Sequence, residues 1–413
     1  MKRFLFTLLA FLAIGSGIQA QTKVQDVIYV DDVVFEPGET EATIEIKYNI
    51  DNAPTTGIKG LQFELDLPEG FTLKENSRKR IIVNDVQEDF TVTTTKQSDV
   101  HKVRFMMISM VDNYLDFEDG VLFSLIVVAD ANVTVGTYPA TVGGYGQINY
   151  IQMSGTTDQG DHTYWQDPLT FYLKMPIELS EENSYAEGFG NYTDVMVLMN
   201  KRTLKAGTWN TICFPFDMDE DAIKEAFGKD NEVTIATLTG SETKKKNGKV
   251  HSIIIKFDTK SKEISANTPY LLKLSEPVDV FAVDGVSLSD DLRPSSMSGG
   301  DCTFYGNYDV IENLGEDEPV LFISGNKFYY ATGNTKMKSF RGYFTHTDLA
   351  EYIQNQSAGA NITLFVDDEP TGIRNIVTNQ GSEDVYDISG RKVNNDNLQK
   401  GVYIVNGKKQ TVH

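Results

Sequence analysis

Apolar and polar residues alternate with a period of two through much of the first 175 residues. In "TEATIEIKYNI", Ala42, Ile44, Ile46, Tyr48 and Ile50 fall on one face, and Glu45, Lys47 and Asn49 on the other. "LQFELDL" sets Leu61, Phe63, Leu65 and Leu67 against Gln62, Glu64 and Asp66. Side chains of a pleated strand point alternately to its two faces, so this period predicts half-buried antiparallel strands. "VRFMMISM" and "VLFSLIVVA" are apolar in both phases and read as central strands covered on both faces. Between the strands stand turn formers, Pro37-Gly38, Pro68-Glu69-Gly70 and Asp119-Gly120, whose backbones favour reversal. Short strands with regular turns predict a β-sandwich, closing near residue 175.

A second β-rich region follows. "EVTIATLTG" and "KVHSIIIKF" flank Asn247-Gly248, a hairpin signal because both residues tolerate the left-handed backbone of a tight turn. "PYLLKL", "CTFYGNYD", "PVLFISG", "KFYYATG", "SFRGYFT" and "NITLFVDD" are further strand candidates. One helix is predicted, in "DMDEDAIKEAFG": Asp219 caps it, acids fill the first turn and Gly228 stops it. The fold class is therefore all-β and multidomain. The expected division is a leader at 1–20, a sandwich at 21–175, a β-rich domain with one helix at 176–366, a linker at 367–372 and a small module at 373–413.

The two ends differ from the body. "MKRFLFTLLAFLAIGSGIQA" has Lys2 and Arg3, an apolar run from Phe4 to Ile14, then small residues. That is the layout of a secretory signal peptide, with cleavage between Ala20 and Gln21, and its apolar run is short for a bilayer span. The expected location is secreted or the outer cell surface, with no membrane-spanning segment. The chain carries 37 Lys and Arg against 59 Asp and Glu, a net charge of −22, which argues against nucleic acid, whose phosphates demand basic surfaces. Residues 385–413 reverse the sign, with five Lys or Arg against two Asp, so the tail has a separate character. Export permits a disulfide between the only two cysteines, Cys213 and Cys302; two buried thiols are the alternative.

Three stretches carry family resemblances. "VVFEPGETEATIEIKYNIDN" through "IKGLQFELDLPEGFTL", Phe35 to Leu73, resembles the cohesin-like β-sandwich family: a Pro-Gly turn, an alternating strand, a polar loop and a glycine-hydrophobic-Gln-Phe strand. The resemblance implies a binding module, for dockerin-like proteins or for carbohydrate. "LKAGTWNTICFPFDM", "ISANTPYLLKL" and "FRGYF" resemble a recurrent β-rich segment of Bacteroidetes surface proteins, with no chemistry attached. "VYDISGRKV" and "GVYIVNGKK" are similar to the C-terminal sorting domain of the type IX secretion system, the matching residues being Tyr386, Asp387, Ser389, Gly390, Arg391, Gly401, Tyr403 and Gly407. The resemblance implies type IX export machinery as a partner, although 43 residues from Thr371 is short for that family.

Catalytic signatures are absent from the sequence. His101, His162, His251, His346 and His413 are scattered, and no His-Glu-x-x-His pair, CxxC spacing or G-x-S-x-G elbow occurs. "GGYGQI" lacks the third glycine of a dinucleotide loop. "DMDED" spaces acids as a calcium loop does, but Ala222 stands where that loop needs glycine and Gly228 where it needs glutamate. No cofactor or catalytic residue is implied; a structural calcium ion held by loop acids is the open alternative. Binding features are Tyr145 and Tyr150 in "GGYGQINYIQM" and Tyr164 and Trp165 in "DHTYWQD". Aromatic rings among amides suit sugars, against the alternative that they fill the ends of a sandwich. Lys244, Lys245, Lys246 and Lys249 surround a predicted hairpin tip and read as a solvated turn. The expected function is non-catalytic polysaccharide binding at or outside the cell surface. The alternative is a protein-interaction or adhesin component, and behind it an accessory of a glycan-degrading system with a hidden hydrolase site.

Overall fold

In the computed structural model, residues 21–370 are described apart from 55–56, 75–81, 84–89, 97–98, 110–119, 146–147, 158–159 and 356–360; beyond 370 only four short strands are. The chain divides into two compact units, each discontinuous in sequence. The first is Met1–Thr203 with Pro215–Asp230 and Val278–Leu292; the second is Leu204–Phe214 with Asn231–Pro277 and Arg293–His413. Both are built chiefly of strands, so the protein is all-β and multidomain.

The first unit holds the sandwich. Its strands begin with β1 (Gln21–Lys23), β2 (Ile28–Tyr29), β3 (Val33–Val34), β4 (Glu41–Tyr48), β5 (Gly60–Asp66), β6 (Phe71–Leu73) and β7 (Ile82–Val83). They continue with β8 (Phe90–Lys96), β9 (Lys102–Ser109), β10 (Gly120–Ala129), β11 (Gly136–Gly143), β12 (Ile151–Thr157), β13 (Gly160–Gln166) and β14 (Leu169–Met175). One sheet runs β1-β13-β12-β5-β11-β14-β3, with β9 also on β5 and β8 on β9; the other runs β2-β4-β10-β6, with β7 also on β10. The core is the apolar phase of each strand. Ile44, Ile46 and Tyr48 of β4 meet Leu61, Phe63 and Leu65 of β5 and Val103, Phe105 and Met107 of β9 in one buried cluster. Phe63 stacks on Phe105 at 5.1 Å. Each fully buried side chain of this size contributes roughly 1.5–3 kcal/mol.

The turn formers at Gly38 and Gly70 adopt φ of 83° and 88°, backbone that favours glycine. β9 and β10 are both internal strands, as their apolar character implied. Their second phase is nevertheless only half-buried: Met106, Ile108, Ile126 and Val128 are intermediate in exposure. A two-layer sandwich leaves one side of each sheet open, so double coverage is not available.

Three more strands, Ile177–Ser180, Tyr192–Asn200 and Phe281–Leu288, form a small sheet in the first unit. The helix Glu220–Phe227 lies against it, with Phe227 edge-on to Phe281 at 5.0 Å. Asp219 caps this helix, its carboxylate accepting from the backbone N–H of Asp221 and Ala222. Lys174 of β14 sits between the carboxylates of Asp32 and Asp284.

The second unit stacks a six-stranded sheet on a five-stranded one. The six-stranded order is Asn210–Cys213, Pro269–Leu274, Val233–Lys246, Lys249–Asp258, Asn361–Val366 and Glu369–Pro370. The five-stranded order is Ser296–Gly299, Cys302–Asn307, Arg341–His346, Val320–Ser324 and Lys327–Ala331. Ile253, Ile255, Phe257 and Leu364 from one sheet pack with Phe304, Leu321 and Phe344 from the other. The expected Asn247-Gly248 turn forms, with φ of 55° and 77°.

Cys213 and Cys302 are free, buried thiols in place of a bridge. Each is enclosed by its own surroundings. Cys213 lies so close beneath Gly306 that a Cβ there would come within 2.3 Å of its Sγ, and Cys302 is paired across the sheet with His346. Burial pushes both thiols up to about 12, so neither is a reactive thiolate near neutral pH.

His346 yields a stability prediction. It is 6 % exposed; its Nδ1 accepts from the backbone N–H of Asp348, and its Nε2 is buried with no hydrogen-bond partner. Burial lowers its pKa below the usual 6.5, against the smaller opposing pull of Asp348 and Asp301. Below pH 6.5 the unfolded chain binds a proton that the folded chain does not, so stability falls with pH until the folded pKa is passed. Urea unfolding of the parent and of His346→Gln between pH 7.5 and 5 checks this. The parent should lose stability relative to the variant as pH falls below about 6.5, and parallel pH curves would refute it.

Candidate functional site

The outward face of the nine-stranded sheet carries a line of side chains at one register. Lys23 of β1 pairs with Trp165 of β13, Trp165 with Gln152 of β12, Gln152 with Gln62 of β5, and Gln62 with Met106 of β9. At about 4.8 Å per strand this strip spans roughly 19 Å. The alternation of β5 dictates it: Leu61, Phe63 and Leu65 enter the core, so Gln62, Glu64 and Asp66 point the other way.

At the centre, the Gln62 amide N–H donates to Gln152 Oε1 at 3.1 Å. The Tyr145 hydroxyl donates to Gln62 Oε1 at 3.4 Å. The Arg104 guanidinium lies over the Tyr145 ring, 3.5 Å from its centroid, and pairs with Glu64 at 3.6 Å. Beyond it Lys102 meets Asp66 at 2.6 Å, and this hydrogen bond raises the pKa of Lys102. At the other end, the ring of Tyr150 is tilted against Trp165 at 5.5 Å. Lys23 Nζ stands 5.1 Å from the Trp165 ring and 2.6 Å from Asp167.

The chain after β11 brings Tyr145 here. A Cβ on Gly144 would lie 2.1 Å from the Ile148 carbonyl oxygen and 2.5 Å from the Tyr150 nitrogen. Only a residue without a side chain allows this close return of backbone on backbone. The Ile148 N–H then donates to the Tyr145 carbonyl at 3.1 Å.

Three of the four expected aromatics, Tyr145, Tyr150 and Trp165, belong to this face, and none is fully buried. Tyr164 does not. It is 5 % exposed and part of the sandwich core, because adjacent strand residues face opposite ways. Gln166 shares its buried phase: the Gln166 side-chain oxygen accepts from the Val27 and Ile28 N–H groups, and its amide N–H donates to the Ile28 carbonyl. Sequence reading missed Gln62, Arg104 and Gln152. Gln62 stands on the polar phase of "LQFELDL", Arg104 is a lone charge in the otherwise apolar "VRFMMISM", and Gln152 is one of the amides in "GGYGQINYIQM"; each looks the same as ordinary solvation until pairing is known.

The tail motif is partly described. Tyr386 and Asp387 lie in the strand Val385–Asp387, and Gly401 and Tyr403 in Gly401–Val405. These pair, Tyr386 with Ile404 and Asp387 with Tyr403, in a four-stranded sheet with Lys392–Val393 and Lys408–Val412. Ser389, Gly390, Arg391, Gly407 and Ala20 lie outside the described residues, while Gln21 opens β1. Among the described residues, no group of three His, Cys, Asp or Glu could hold a metal ion, and no helix is long and apolar enough to cross a membrane.

No family model and no curated protein matches this chain. Solved structures of cohesins give weak likenesses. The seventh ScaB type I cohesin from Pseudobacteroides cellulosolvens is 16% identical at a TM-score of 0.29, covering 38% of this chain and 93% of that one. A type I cohesin–dockerin complex from Clostridium thermocellum is 15% identical at 0.27, covering 36% and 96%. The cohesin module of a Clostridium perfringens family 33 glycoside hydrolase is 14% identical at 0.27, covering 36% and 93%. Scores of this size carry no functional assignment.

Proposed function

We propose that this protein is a non-catalytic binding protein that works at or outside the cell surface, and that its sandwich holds a protein partner on the open face of the nine-stranded sheet. The observation that carries this reading is the placing of Arg104 and Tyr145 at one end of the Gln62–Gln152 pair and of Tyr150 and Trp165 at the other. Arg, Tyr and Trp are the side chains that dominate protein interfaces. The cations favour a protein over a sugar. Arg104 covers one face of Tyr145 and Lys23 approaches Trp165, so ring faces that a pyranose would stack upon are already engaged. In this reading the chain is exported by a signal peptide cut after Ala20, and the tail serves type IX sorting or anchoring.

Polysaccharide binding is the second reading, supported by the half-exposed Gln152 amide among aromatic rings, an arrangement that suits hydroxyl-rich ligands. One experiment separates the two. The full chain and its Arg104→Ala and Trp165→Ala variants are run through gels cast with plant, host and microbial polysaccharides, and are also immobilised to capture extracellular proteins. The protein reading expects free migration in every gel and one captured partner whose affinity drops about tenfold or more in Arg104→Ala. Retardation by one polymer, relieved in Trp165→Ala, would overturn it in favour of the sugar.

A further inference from the structure

One hairpin of the second unit ends on a cationic tip. Its strands, Val233–Lys246 and Lys249–Asp258, pair as far as Lys246 with Lys249, and Asn247-Gly248 closes the turn. The neighbouring strands stop short of this tip. Pro269–Leu274 pairs only with residues 233–236, and Asn361–Val366 begins opposite Ser252. Every residue from 244 to 249 is exposed. Four of these six are lysines, Lys244, Lys245, Lys246 and Lys249.

The register sorts the four. Lys245 pairs with Val250, which enters the core, so Lys245 shares that side. Lys244, Lys246 and Lys249 take the other, because residues alternate along a strand and paired residues share a face. Lys246 and Lys249 stand directly opposite each other. As the hydrogen-bonded pair flanking a two-residue turn, their Cα atoms are about 5.5 Å apart. Lys244 lies about 6.8 Å back along its strand.

This arrangement costs the free chain stability, since like charges directly opposite on a sheet repel. Among the described residues, no carboxylate forms an ion pair with any of the four. Glu242, the next acid on that side, is held by Lys256 at 2.6 Å. Glu351 accepts from the Val250 N–H at 2.9 Å. Residues 356–360, which lead into Asn361, carry no charge. Elsewhere Lys47, Lys102, Lys260 and Lys336 each meet an acid at 2.5–2.8 Å. In a chain with 59 acids, four clustered cations are left without one. Local choices that oppose folding with no compensating gain mark functional places.

The chemistry and spacing of the tip select its partner. It presents no aromatic or apolar side chain, so nothing there stacks on a sugar ring or fills a pocket, and recognition is by charge. Lys244 and Lys246 repeat every two residues, about 6.8 Å, the repeat at which an extended polypeptide presents alternate side chains on one face. We propose that this hairpin tip docks an extended acidic segment of a protein partner, with Asp or Glu at alternate positions whose carboxylates meet Lys244, Lys246 and Lys249. Basic clusters read acidic motifs in this way, through charge-assisted hydrogen bonds. At physiological salt charges are screened beyond about 8 Å, so a segment held at the tip feels these cations more than the acids of the body. A second copy of this chain is a poorer occupant, since each brings a net charge of −22. The site lies in the second unit and does not rest on the sandwich-face reading.

The probe is a rhodamine-labelled peptide, Gly-Glu-Thr-Glu-Thr-Glu-Gly, blocked at both ends and titrated to millimolar concentration into the full chain at physiological salt, with anisotropy as the readout. Lys244→Gln with Lys246→Gln and Lys249→Gln should weaken binding about tenfold, the combined effect of three exposed ion pairs. Lys245→Gln should weaken it less. Lys205→Gln with Lys262→Gln, exposed lysines away from the tip, should leave it unchanged. A peptide of the same composition with adjacent glutamates, Gly-Thr-Glu-Glu-Glu-Thr-Gly, should bind worse. The triple variant should unfold in urea no earlier than the parent, because it relieves the Lys246–Lys249 repulsion. No binding at millimolar peptide, equal affinity for the rearranged peptide, an equal loss in the Lys205 and Lys262 variant, or an earlier-unfolding triple variant would each overturn the proposal. So would self-association of the parent that the triple variant abolishes, or tighter binding to polygalacturonate or to phosphatidylglycerol vesicles, which would make a second copy, an anionic glycan or a membrane the occupant.

Discussion

Replacing Arg202 by Met should destabilise the protein by about 3–5 kcal/mol, the usual cost of stranding one member of a buried ion pair. Arg202 and Glu181 are each 2 % exposed, with Arg202 Nη1 donating to Glu181 Oε2 at 3.1 Å. Local topology brings them together. The strands Ile177–Ser180 and Tyr192–Asn200 are parallel neighbours with Ser180 beside Asn200, so the residues just past their ends leave the sheet side by side. In Arg202→Met the Glu181 carboxylate remains away from water without its cation. Glu181→Leu with Arg202→Met removes both charges, and such apolar pairs are often as stable as the ion pair they replace. The double variant should therefore recover most of the loss. Urea unfolding of parent, single and double variants decides the matter. A single-variant loss under 1 kcal/mol, or a double variant worse than the single one, would show that the pair is not what holds these two ends.

How much of this was legible beforehand follows the range of each interaction. The core phase of β4 and β5 was readable, because Ile44 and Phe63 alternate with charged neighbours over a few residues. So were the glycine turns at 38 and 70 and the Asp219 cap, whose causes lie within three residues. The buried ion pair was not. Glu181 in "LSEEN" and Arg202 in "NKRTL" look like solvated loop charges, and only the parallel pairing of their strands encloses them. The candidate site splits in the same way. Tyr145, Tyr150 and Trp165 were found as aromatics among amides. Their companions Arg104 and Gln62 needed the β5–β9 register, and the Lys23 approach needed β1 to pair with β13 some 140 residues on. Tyr164 was readable in principle: beside Trp165 in a strand, only one of the two can face outward. The discontinuous units were beyond any local pattern, since residues 215–230 and 278–292 join the first unit from within the second's stretch of chain.

Phe344→Ala should cost about 3–5 kcal/mol in the second unit, the range for emptying a well-packed phenylalanine site. Phe344 is fully buried. Its ring stacks on Phe304 at 4.2 Å, and Phe257 and Phe328 meet it edge-on at 6.0 and 5.4 Å. Four rings from four strands thus share one contact, and a methyl group cannot fill the space they leave, because interiors are close-packed and relax only in part. Phe344→Leu keeps much of the volume and should lose under about 1.5 kcal/mol. Trp209 packs in the same cluster, and the only other tryptophan, Trp165, belongs to the first unit. Unfolding followed by fluorescence in a Trp165→Phe background therefore reads the second unit alone. A loss below 1 kcal/mol for the alanine variant would mean that these rings are not the packed centre described. Phe328 meets Phe344 edge-on, so removing that ring should also loosen the strand Lys327–Ala331 and speed exchange at the Phe328 amide. Unchanged exchange there would show that the strand is held by the Asn326 turn rather than by the core beneath it.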